Sequence, residues 1–224
     1  MRSEDDLYLQ VGKTIDRRPI DESILRQMVA AIESELQLDA KDHLLDLCCG
    51  NGLLSFHLAN TANKVTAIDF SAHLIQAARQ FKSRPNIDYH VGDALKAIDQ
   101  LLRADTTATK VLMNDSLAYF DPFGLDRLLG NLRDYFGERG FRFLMTGIPS
   151  FELHEHFYDT PERKARFEEH QARADDTNDG MGRWWRRAEI EDIARKYGMH
   201  VEIRDQPWPI SKYRMNALVI GTRR

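Results

Sequence analysis

Short apolar runs alternate with amphipathic stretches along this chain, and the two patterns predict alternating strands and helices. Between residues 20 and 36 apolar side chains return every fourth position and Asp21 stands where a helix cap is expected, so this stretch is predicted to be a helix. Residues 43–47 predict a short buried strand that ends in a glycine-containing turn. Further strands are predicted at 65–68, 88–91, 110–113, 141–145, 199–203 and 217–220, and further helices at 53–60, 72–81, 122–135 and 188–197. This order predicts an α/β fold with a parallel sheet and helices on both faces.

Residues 150–182 interrupt the alternation after the fifth predicted strand. They combine aromatic residues and histidines with a charged helical stretch and a polar run. An insertion there would lie at the carboxyl end of the sheet, where open α/β folds bind ligands, so we expect a substrate lid. A surface excursion that only packs on the sheet is the alternative. The chain, 1–224, is expected to be a single domain in which 1–40 form an amino-terminal cap segment and helix.

Composition and charge narrow the classes of partner. The formal net charge of -4 gives no overall attraction to a phosphate backbone, so nucleic acid is not the expected partner. No run approaches the roughly 18 apolar residues of a membrane span, and the acidic opening residues lack the apolar core of a signal peptide. The two cysteines, Cys48 and Cys49, are neighbours and cannot link distant parts of a fold. These features favour a cytoplasmic protein with reduced thiols and leave the oligomeric state open.

Three acidic residues stand at the ends of three successive predicted strands. Asp46 precedes a turn that contains Gly50 and Gly52, and glycines there let the backbone turn tightly and let a ligand approach. Asp69 ends the next strand, where a carboxylate can accept hydrogen bonds from both hydroxyls of a ribose. Asp93 follows the third strand, where it can accept from an adenine amino group. Each acid alone could be a helix cap or a surface charge. Together they suit an adenosine that bears an ammonium group.

The segments LLDLCCGNGLLSFHLA, VTAIDFSAHLIQAAR, IDYHVGDA and KVLMNDSLAYFD resemble, in order and spacing, the first four motifs of class I S-adenosylmethionine-dependent methyltransferases. The family pattern is acid-x-Gly-x-Gly-x-Gly, and Cys48 departs from it at the first glycine. The resemblance implies a Rossmann-like sheet of seven strands whose last strand is antiparallel, and S-adenosylmethionine as the cofactor. The residues that it places at the cofactor are Asp46, Cys48, Gly50, Asn51, Gly52, Asp69, Phe70, Ser71, Asp93, Ala94, Asn114 and Ser116.

The same resemblance assigns roles within that set. Gly50 and Gly52 would pass close to the methionine part, and Asp46 would help to hold its amino group. Asp69 would hold the ribose and Asp93 would contact the adenine. The adenine pocket would be lined by Phe70 and Ala94, and the sulfonium would lie near Asn114 and Ser116.

Two other interpretations of the glycine turn remain open. A nicotinamide dinucleotide site wants a third glycine where this chain has Ser55, and no later segment offers a hydride-transfer site. A protein that keeps the fold but only binds a cofactor or partner is the second alternative.

The sequence indicates the methyl acceptor less clearly than the cofactor. After the fourth strand the chain lacks the Asn/Asp-Pro-Pro-aromatic motif of amino-directed methyltransferases, and it has no cysteine outside the glycine turn for C5 chemistry on a pyrimidine. No set of metal-binding acids stands out, so no metal is expected. His154, His156 and Tyr119 are the candidate catalytic residues, and the two histidines would share a face if their segment were extended. Tyr158 and Arg214 are candidate substrate-binding residues, and Arg214 could hold a carboxylate or phosphate.

A segment near the amino terminus favours a small-molecule acceptor. The stretch LQVGKT ahead of the first long helix resembles a group of bacterial small-molecule methyltransferases, and it could fold over the cofactor or remain a frayed tail. We therefore expect methyl transfer to an oxygen or nitrogen of a small polar molecule, such as a glycan precursor or secondary metabolite. An RNA or protein substrate is the alternative, and the arginines at 183, 186 and 187 beside Trp184 and Trp185 are the one cluster that would suit RNA.

Overall fold

The fold was obtained as a computed structural model, which describes residues 5–15, 18–100, 107–172, 181–207 and 211–221. The chain divides into two compact units, Met1–Leu112 and Met113–Arg224, and each is described by itself. The expectation of one domain over 1–224 stays a prediction.

The first unit alternates helices with short strands, as the hydrophobic pattern predicts. Its elements are α1 (Asp5–Gln10), β1 (Thr14–Ile15), β2 (Arg18–Pro19), α2 (Glu22–Leu36), β3 (His43–Leu47), α3 (Leu53–Leu58), β4 (Lys64–Asp69), α4 (Ala72–Phe81), β5 (Ile87–Val91) and α5 (Ala94–Gln100). All five residues of β3 are buried, and three of them are leucines. A strand that is covered on both faces favours apolar residues at consecutive positions rather than an alternating pattern. The strand β3 pairs with β4 in parallel, and β4 pairs in parallel with β5.

Side-chain caps determine where the two main helices of this unit begin. Asp21 accepts hydrogen bonds from the backbone N–H of Ser23 (2.8 Å) and of Ile24 (3.0 Å), as the sequence predicts. Ser71 caps α4 by accepting from the N–H of Leu74 at 3.3 Å. These bonds satisfy donors that the first turn of a helix leaves free.

In its described residues, the second unit contains the remaining strands and three α-helices. Its elements are β6 (Lys110–Asn114, which begins in the first unit), α6 (Pro122–Phe136), β7 (Phe141–Pro149), α7 (Pro161–Ala172), α8 (Arg187–Arg195), β8 (His200–Asp205) and β9 (Arg214–Gly221). Short 3₁₀ turns occupy Leu117–Tyr119, Gly137–Arg139 and Phe151–His156. The register of β7 against β9 shifts between Met145 and Ile148, which marks a β-bulge.

The seven main strands form one sheet in the order β5-β4-β3-β6-β7-β9-β8. The last strand, β9, is antiparallel to both of its neighbours, so the predicted seven-stranded Rossmann-like sheet is confirmed. The short strands β1 and β2 form a separate antiparallel pair near the amino terminus. Across the described ranges, every helix is too short or too polar to cross a lipid bilayer.

Several elements differ from the sequence-based expectation, and the short α1, β1 and β2 are among those not expected. The fifth main strand, β7, extends to Pro149 rather than ending near residue 145, because its bulge lets pairing resume at Ile148. The helix α5 was not expected, since it is short and its first turn carries a lysine within an uneven apolar pattern. The expected lid 150–182 begins with a 3₁₀ turn and α7, while 173–180 lie outside the described residues. Whether this segment is a lid stays a prediction.

Candidate functional site

The turn after β3 passes three times through left-handed backbone conformations. Cys48, Gly50 and Gly52 have φ values of 59°, 58° and 74°. Glycine adopts this region freely, whereas for a residue with a side chain it costs about 1–2 kcal/mol. The cysteine at the first glycine position is therefore strained, and the strain explains why glycine is the residue that this position favours.

Neighbouring side chains also require the two glycines. A Cβ atom on Gly52 would lie 2.4 Å from the hydroxyl oxygen of Tyr89, and one on Gly50 would lie 2.9 Å from Cγ1 of Val11. Both contacts are with side chains of the same unit, so they account for the glycines without a ligand. The close approach of a cofactor to this turn stays a prediction.

Asp46 is a buried carboxyl group beside the turn. The hydroxyl of Ser55 donates a hydrogen bond to its Oδ2 at 2.5 Å. Burial raises the pKa of Asp46 from its ordinary value of 3.8 to about 7; the bond from Ser55 opposes this rise and the charge of Asp69 adds to it. A nearby cation would stabilise the ionised form of this buried carboxyl group and lower its pKa. The site therefore fits the ammonium group of the predicted cofactor.

Asp69 joins the end of β4 to the glycine turn. Its Oδ2 accepts a hydrogen bond from the backbone N–H of Gly50 at 2.9 Å, and its Oδ1 accepts from the N–H of Ser71 at 2.8 Å. Each carboxylate oxygen has two lone pairs, so each keeps capacity for one more donor. Asp69 thus shapes the turn and can still accept from a ribose hydroxyl, as the sequence predicts for it.

Exposed apolar side chains lie beside this acid, at the ends of β4 and β5. Phe70 is 79% exposed and Val91 is 51% exposed, which is unusual for large apolar residues at neighbouring strand ends. Asp93 is exposed and accepts from the N–H of Leu95 at 2.8 Å, so it also acts as a cap for α5. Ala94 is buried. The arrangement offers an apolar surface next to carboxylates, which suits a nucleoside.

The amino-terminal segment packs against the glycine turn through Asn51. The side-chain nitrogen of this fully buried residue donates to the carbonyl of Leu7 at 2.7 Å and to Oε1 of Gln10 at 3.0 Å. Its Oδ1 is buried and has no hydrogen-bond partner within the described part of the chain. The segment is therefore folded onto the turn rather than frayed, and Asn51 positions it.

In the second unit, the carboxyl end of β6 is tied to β7. Asn114 accepts from the hydroxyl of Thr146 at 2.8 Å and donates to Oδ2 of Asp115 at 3.1 Å. Ser116 donates from its hydroxyl to the carbonyl of Asn114 at 2.8 Å. Both predicted sulfonium neighbours thus have partners inside their own unit, and their contact with the cofactor stays a prediction.

The carboxyl end of β6 also carries an ion pair that sequence reasoning missed. Nη1 of Arg214 donates to Oδ1 of Asp115 at 2.7 Å and to the carbonyl of Gly147 at 2.8 Å. Asp115 has a φ of 52°, an uncommon conformation for a residue other than glycine. An acid directly after a strand was the available signal, but its partner is 99 positions away in the sequence.

The segment that carries the two candidate histidines is not extended, so the condition under which they would share a face is not met. Residues 151–156 form a 3₁₀ turn rather than an extended segment, and positions two apart do not share a face there. His154 stacks on Phe151 (ring centroids 5.0 Å apart) and packs against Phe167 (4.6 Å), with Nδ1 at 2.5 Å from the Phe151 carbonyl. His156 is exposed. Their catalytic roles stay predictions.

The two candidate tyrosines differ sharply in exposure. Tyr119 is 81% exposed at the end of a 3₁₀ turn, so its hydroxyl is open to a substrate. Tyr158 is buried, and its ring packs 4.6 Å from that of Phe167 and 5.6 Å from that of Trp184. This packing gives Tyr158 a structural role whether or not it binds a substrate. Within the described ranges, no group of three or more metal-binding side chains comes together.

Comparison with known proteins gives the family context of this geometry. Residues 44–140, less than half of the chain, match the sequence model of a methyltransferase domain. A 23S rRNA (uracil(1939)-C(5))-methyltransferase, RlmD, of Aliivibrio fischeri is 28% identical over 126 residues, which are 53% of this chain and 29% of that protein. A demethylmenaquinone methyltransferase of Leptospira interrogans is 36% identical over 62 residues, 25% of each chain. The chain thus spans less than a third of the length of these curated relatives.

Solved structures share the fold over nearly the whole chain. The magnesium protoporphyrin IX methyltransferase ChlM of Synechocystis PCC 6803, solved with bound SAH, has a TM-score of 0.61 at 14% identity and covers 96% of each chain. A SAM-dependent methyltransferase of Anabaena variabilis has a TM-score of 0.63 at 14% identity and covers 99% of this chain and 94% of its own.

These comparisons confirm the predicted fold and show that residues 44–140 resemble a methyltransferase domain. The enzymatic activity of this chain and its use of S-adenosylmethionine stay predictions. The small-molecule type and the acceptor are finer points that they leave open. Residues 44–140 match a methyltransferase domain, in a chain whose sheet has the fold of S-adenosylmethionine-dependent methyltransferases.

Proposed function

We propose that this chain transfers the methyl group of S-adenosylmethionine to an oxygen or nitrogen of a small polar molecule, with a glycan precursor or secondary metabolite as the first acceptor to test. The observation that carries the proposal is the pair of buried acids, Asp46 and Asp69, which flank the glycine turn at the ends of two adjacent strands. Carboxyl ends of parallel strands are where open α/β sheets bind ligands.

The first unit would hold the cofactor. Asp46, whose pKa burial raises to about 7, would bind the ammonium group of the methionine part. Asp69 would accept from the ribose hydroxyls with the lone pairs that Gly50 and Ser71 leave free. Exposed Phe70 would cover the adenine. The cofactor supplies an electrophilic methyl group on a sulfonium.

The protein's own contribution to methyl transfer is chiefly orientation of the acceptor. A base is needed only where the acceptor must lose a proton, as a sugar hydroxyl or a protonated amine must. Tyr119, His154 and His156 are the candidates for that role. Tyr119 and His156 are exposed, whereas Nδ1 of His154 is engaged with a backbone carbonyl. The proposal therefore favours Tyr119 or His156 for contact with the acceptor.

The arginine cluster that would suit RNA is engaged within the protein. Arg183 pairs with Glu189 at 2.7 Å, Arg187 pairs with Asp205, and the guanidinium of Arg186 lies 3.5 Å from the ring centroid of Phe151. Trp185 is fully buried, and its indole N–H donates to the carbonyl of Leu117. Side chains that are neutralised or packed in this way do not form a basic groove with open aromatic platforms, so they favour a small acceptor over RNA.

Cysteine chemistry also favours oxygen or nitrogen as the acceptor atom. Methylation of a pyrimidine at C5 calls for a thiolate nucleophile, and both cysteines of the chain lie in the glycine turn. Burial raises the pKa of the Cys49 thiol well above its ordinary value, and the charges of Asp46 and Asp69 raise it further. A thiol that resists ionisation is a poor nucleophile. This argues against the uracil C5 reaction named for the relative from Aliivibrio fischeri.

A partition assay tests the proposed function. The purified protein is incubated with S-adenosylmethionine labelled in the methyl group, separately with a pool of low-molecular-weight polar metabolites, with total RNA and with a protein extract. We expect label in the small-molecule fraction, and loss of that label in Asp69→Asn but not in Asp88→Asn, an exposed acid of the same unit. Label in RNA or protein would instead support those alternatives. No label despite cofactor binding would support the non-catalytic alternative.

A further inference from the structure

The second unit holds a connected polar cluster around Arg214, at the bulge of β7. We call it the Arg214 cluster, and it consists of Asp115, Thr146, Gly147, Arg214 and Asn216. The backbone N–H of Gly147 donates to Oδ1 of Asn216 at 3.1 Å, and the carbonyl of Gly147 accepts from Nη1 of Arg214. The N–H of Asp115 donates to the carbonyl of Thr146 at 2.9 Å. The guanidinium of Arg214, on β9, thus joins the residue that follows β6 to the bulge of β7.

Two residues of the Arg214 cluster have left-handed backbone conformations. Asp115 has a φ of 52° and Gly147 has a φ of 70°, and a Cβ atom on Gly147 would lie 1.7 Å from Oδ1 of Asp115. The carboxylate thus occupies the space that the glycine leaves open. Bulges and left-handed residues that carry side chains cost free energy and gather at functional sites. A simple structural ion pair on a strand edge needs neither feature.

Among the described residues, the protein partners of the Arg214 guanidinium contact Nη1. Both hydrogens of Nη1 are used, one by Asp115 and one by Gly147. The Nε–Nη2 edge has no protein partner among the residues that the structure describes, and the side chain is 24% exposed. This edge carries two parallel N–H groups, the geometry that binds a carboxylate through two hydrogen bonds. The contact with Asp115 leaves that geometry unused.

Two aromatic side chains continue from the guanidinium of Arg214. The guanidinium carbon lies 5.7 Å from the ring centroid of Tyr213, whose ring is 6.0 Å from that of Trp184. The indole nitrogen of Trp184 is buried and has no hydrogen-bond partner within the described ranges. A buried donor without a partner is costly, and binding of an acceptor atom would remove the cost. Both observations point to a ligand that carries hydrogen-bond acceptors.

We infer that the Arg214 cluster binds a carboxylate group of the methyl acceptor, and that Asp115 is the positioning residue that presents the open edge of Arg214. The inference rests on the proposed function, because it assigns the substrate class of that enzyme. A planar carboxylate matches the planar edge and carries one charge. A phosphate dianion would meet stronger repulsion from Asp115. The acceptor is thus a small carboxylic acid, methylated at another oxygen or nitrogen.

The test uses simple probes on the full chain. Benzoate, its neutral isostere benzamide and inorganic phosphate are titrated while the indole N–H resonance of Trp184, assigned by its loss in Trp184→Phe, is followed by NMR. We expect benzoate to shift this resonance with an affinity at least about tenfold higher than that of benzamide, the effect of one charged hydrogen-bonded pair. Equal binding of benzoate and benzamide, tighter binding of phosphate than of benzoate, or no binding of benzoate would overturn the inference.

Variants separate a binding role from a structural one. Arg214→Gln removes the charge, whereas Arg214→Lys keeps a cation for Asp115 but has no planar edge. Both are expected to weaken benzoate binding by about tenfold or more, whereas Arg204→Gln, an exposed arginine paired with Glu202 in the same unit, leaves it unchanged. Full benzoate affinity in Arg214→Lys would contradict the role of the edge, and this variant keeps the ion pair if Arg214→Gln fails to fold.

Titration of the same proteins with S-adenosylmethionine distinguishes the two proposals. Cofactor binding without benzoate binding would overturn the carboxylate site alone. Benzoate binding without cofactor binding would overturn the proposed function and leave a carboxylate site whose ligand is not a methyl acceptor.

Discussion

The carboxylate of Asp115 lies in the space that a side chain on Gly147 would fill, since a Cβ atom there would come within 1.7 Å of Oδ1. Gly147→Ala is therefore expected to displace Asp115 and to break its bond to Arg214. We expect the variant to lose about 2–4 kcal/mol of unfolding free energy, from backbone strain together with overpacking. Urea denaturation measures the loss.

Gly198→Ala is the matched control for this change. Gly198 has a φ of 69°, nearly that of Gly147, but a Cβ atom on it would meet nothing within 4 Å. It should lose about 1 kcal/mol from backbone strain alone. Equal losses in the two variants would show that the contact with Asp115 is unimportant for stability.

Relief of strain at the glycine turn gives a second prediction. Cys48 has a φ of 59°, so Cys48→Gly is expected to raise the free energy of unfolding by about 0.5–1 kcal/mol, the strain of about 1–2 kcal/mol less the entropic cost of glycine. The neighbouring change Cys49→Gly relieves no such strain and is expected to destabilise the protein. Thermal unfolding of both variants checks the difference, and a less stable Cys48→Gly protein would contradict it.

The raised pKa of the buried Asp46 makes both the stability of the fold and the affinity for S-adenosylmethionine depend on pH. The pKa of Asp46 is raised from 3.8 to about 7 on folding, so its contribution favours the folded state fully below pH 3.8 and is lost as the pH rises through about 7. A bound ammonium group favours the ionised carboxylate. The affinity for S-adenosylmethionine is therefore expected to rise severalfold from about pH 6 to about pH 8, with release of a proton.

Calorimetry in two buffers with different ionisation enthalpies measures that proton release. In Asp46→Asn the group cannot titrate, so the pH dependence that it causes should disappear and the affinity should fall. Proton release that persists unchanged in Asp46→Asn would remove Asp46 from the account.

The two candidate histidines are expected to respond differently to substitution. His154→Ala removes a ring that packs between Phe151 and Phe167 and should lower the free energy of unfolding by about 1–3 kcal/mol. His156 is exposed, so His156→Ala should stay within about 0.5 kcal/mol of the parent protein. His154→Phe keeps the aromatic packing, so a loss of turnover in that variant with cofactor affinity intact would show a chemical role for His154.

The strands and helices of the first unit could be predicted because local pattern determines them. Residues 43–47 form a buried strand, as the sequence indicates. Asp21 caps α2, the helix that precedes this strand, and this too agrees with the sequence. Acids at strand ends could likewise be placed, since parallel strands end at one edge of a sheet. The hydrogen bond from the N–H of Gly50 to Asp69 joins the turn after β3 to the end of the neighbouring strand β4.

Long-range contacts and local backbone conformation could not be predicted in the same way. The pairing of Asp115 with Arg214 depends on a bulge in β7, and no local pattern shows which acid meets which base over 99 positions. The sequence could say only that His154 and His156 would share a face in an extended segment, and the segment instead forms a 3₁₀ turn in which His154 packs against Phe167. The positive φ of Cys48 is likewise a property of the folded turn.

Calorimetric titration of the purified protein with S-adenosylmethionine, S-adenosylhomocysteine and NAD tests the central claim most directly. The account predicts micromolar binding of the first two and none of NAD. The free energy of S-adenosylmethionine binding is expected to weaken by about 1–3 kcal/mol in Asp69→Asn, because the ribose hydroxyls lose a charged acceptor. In Asp88→Asn it is expected to stay unchanged. Failure of both adenosyl compounds to bind, or an affinity that is unchanged in Asp69→Asn, would contradict the account.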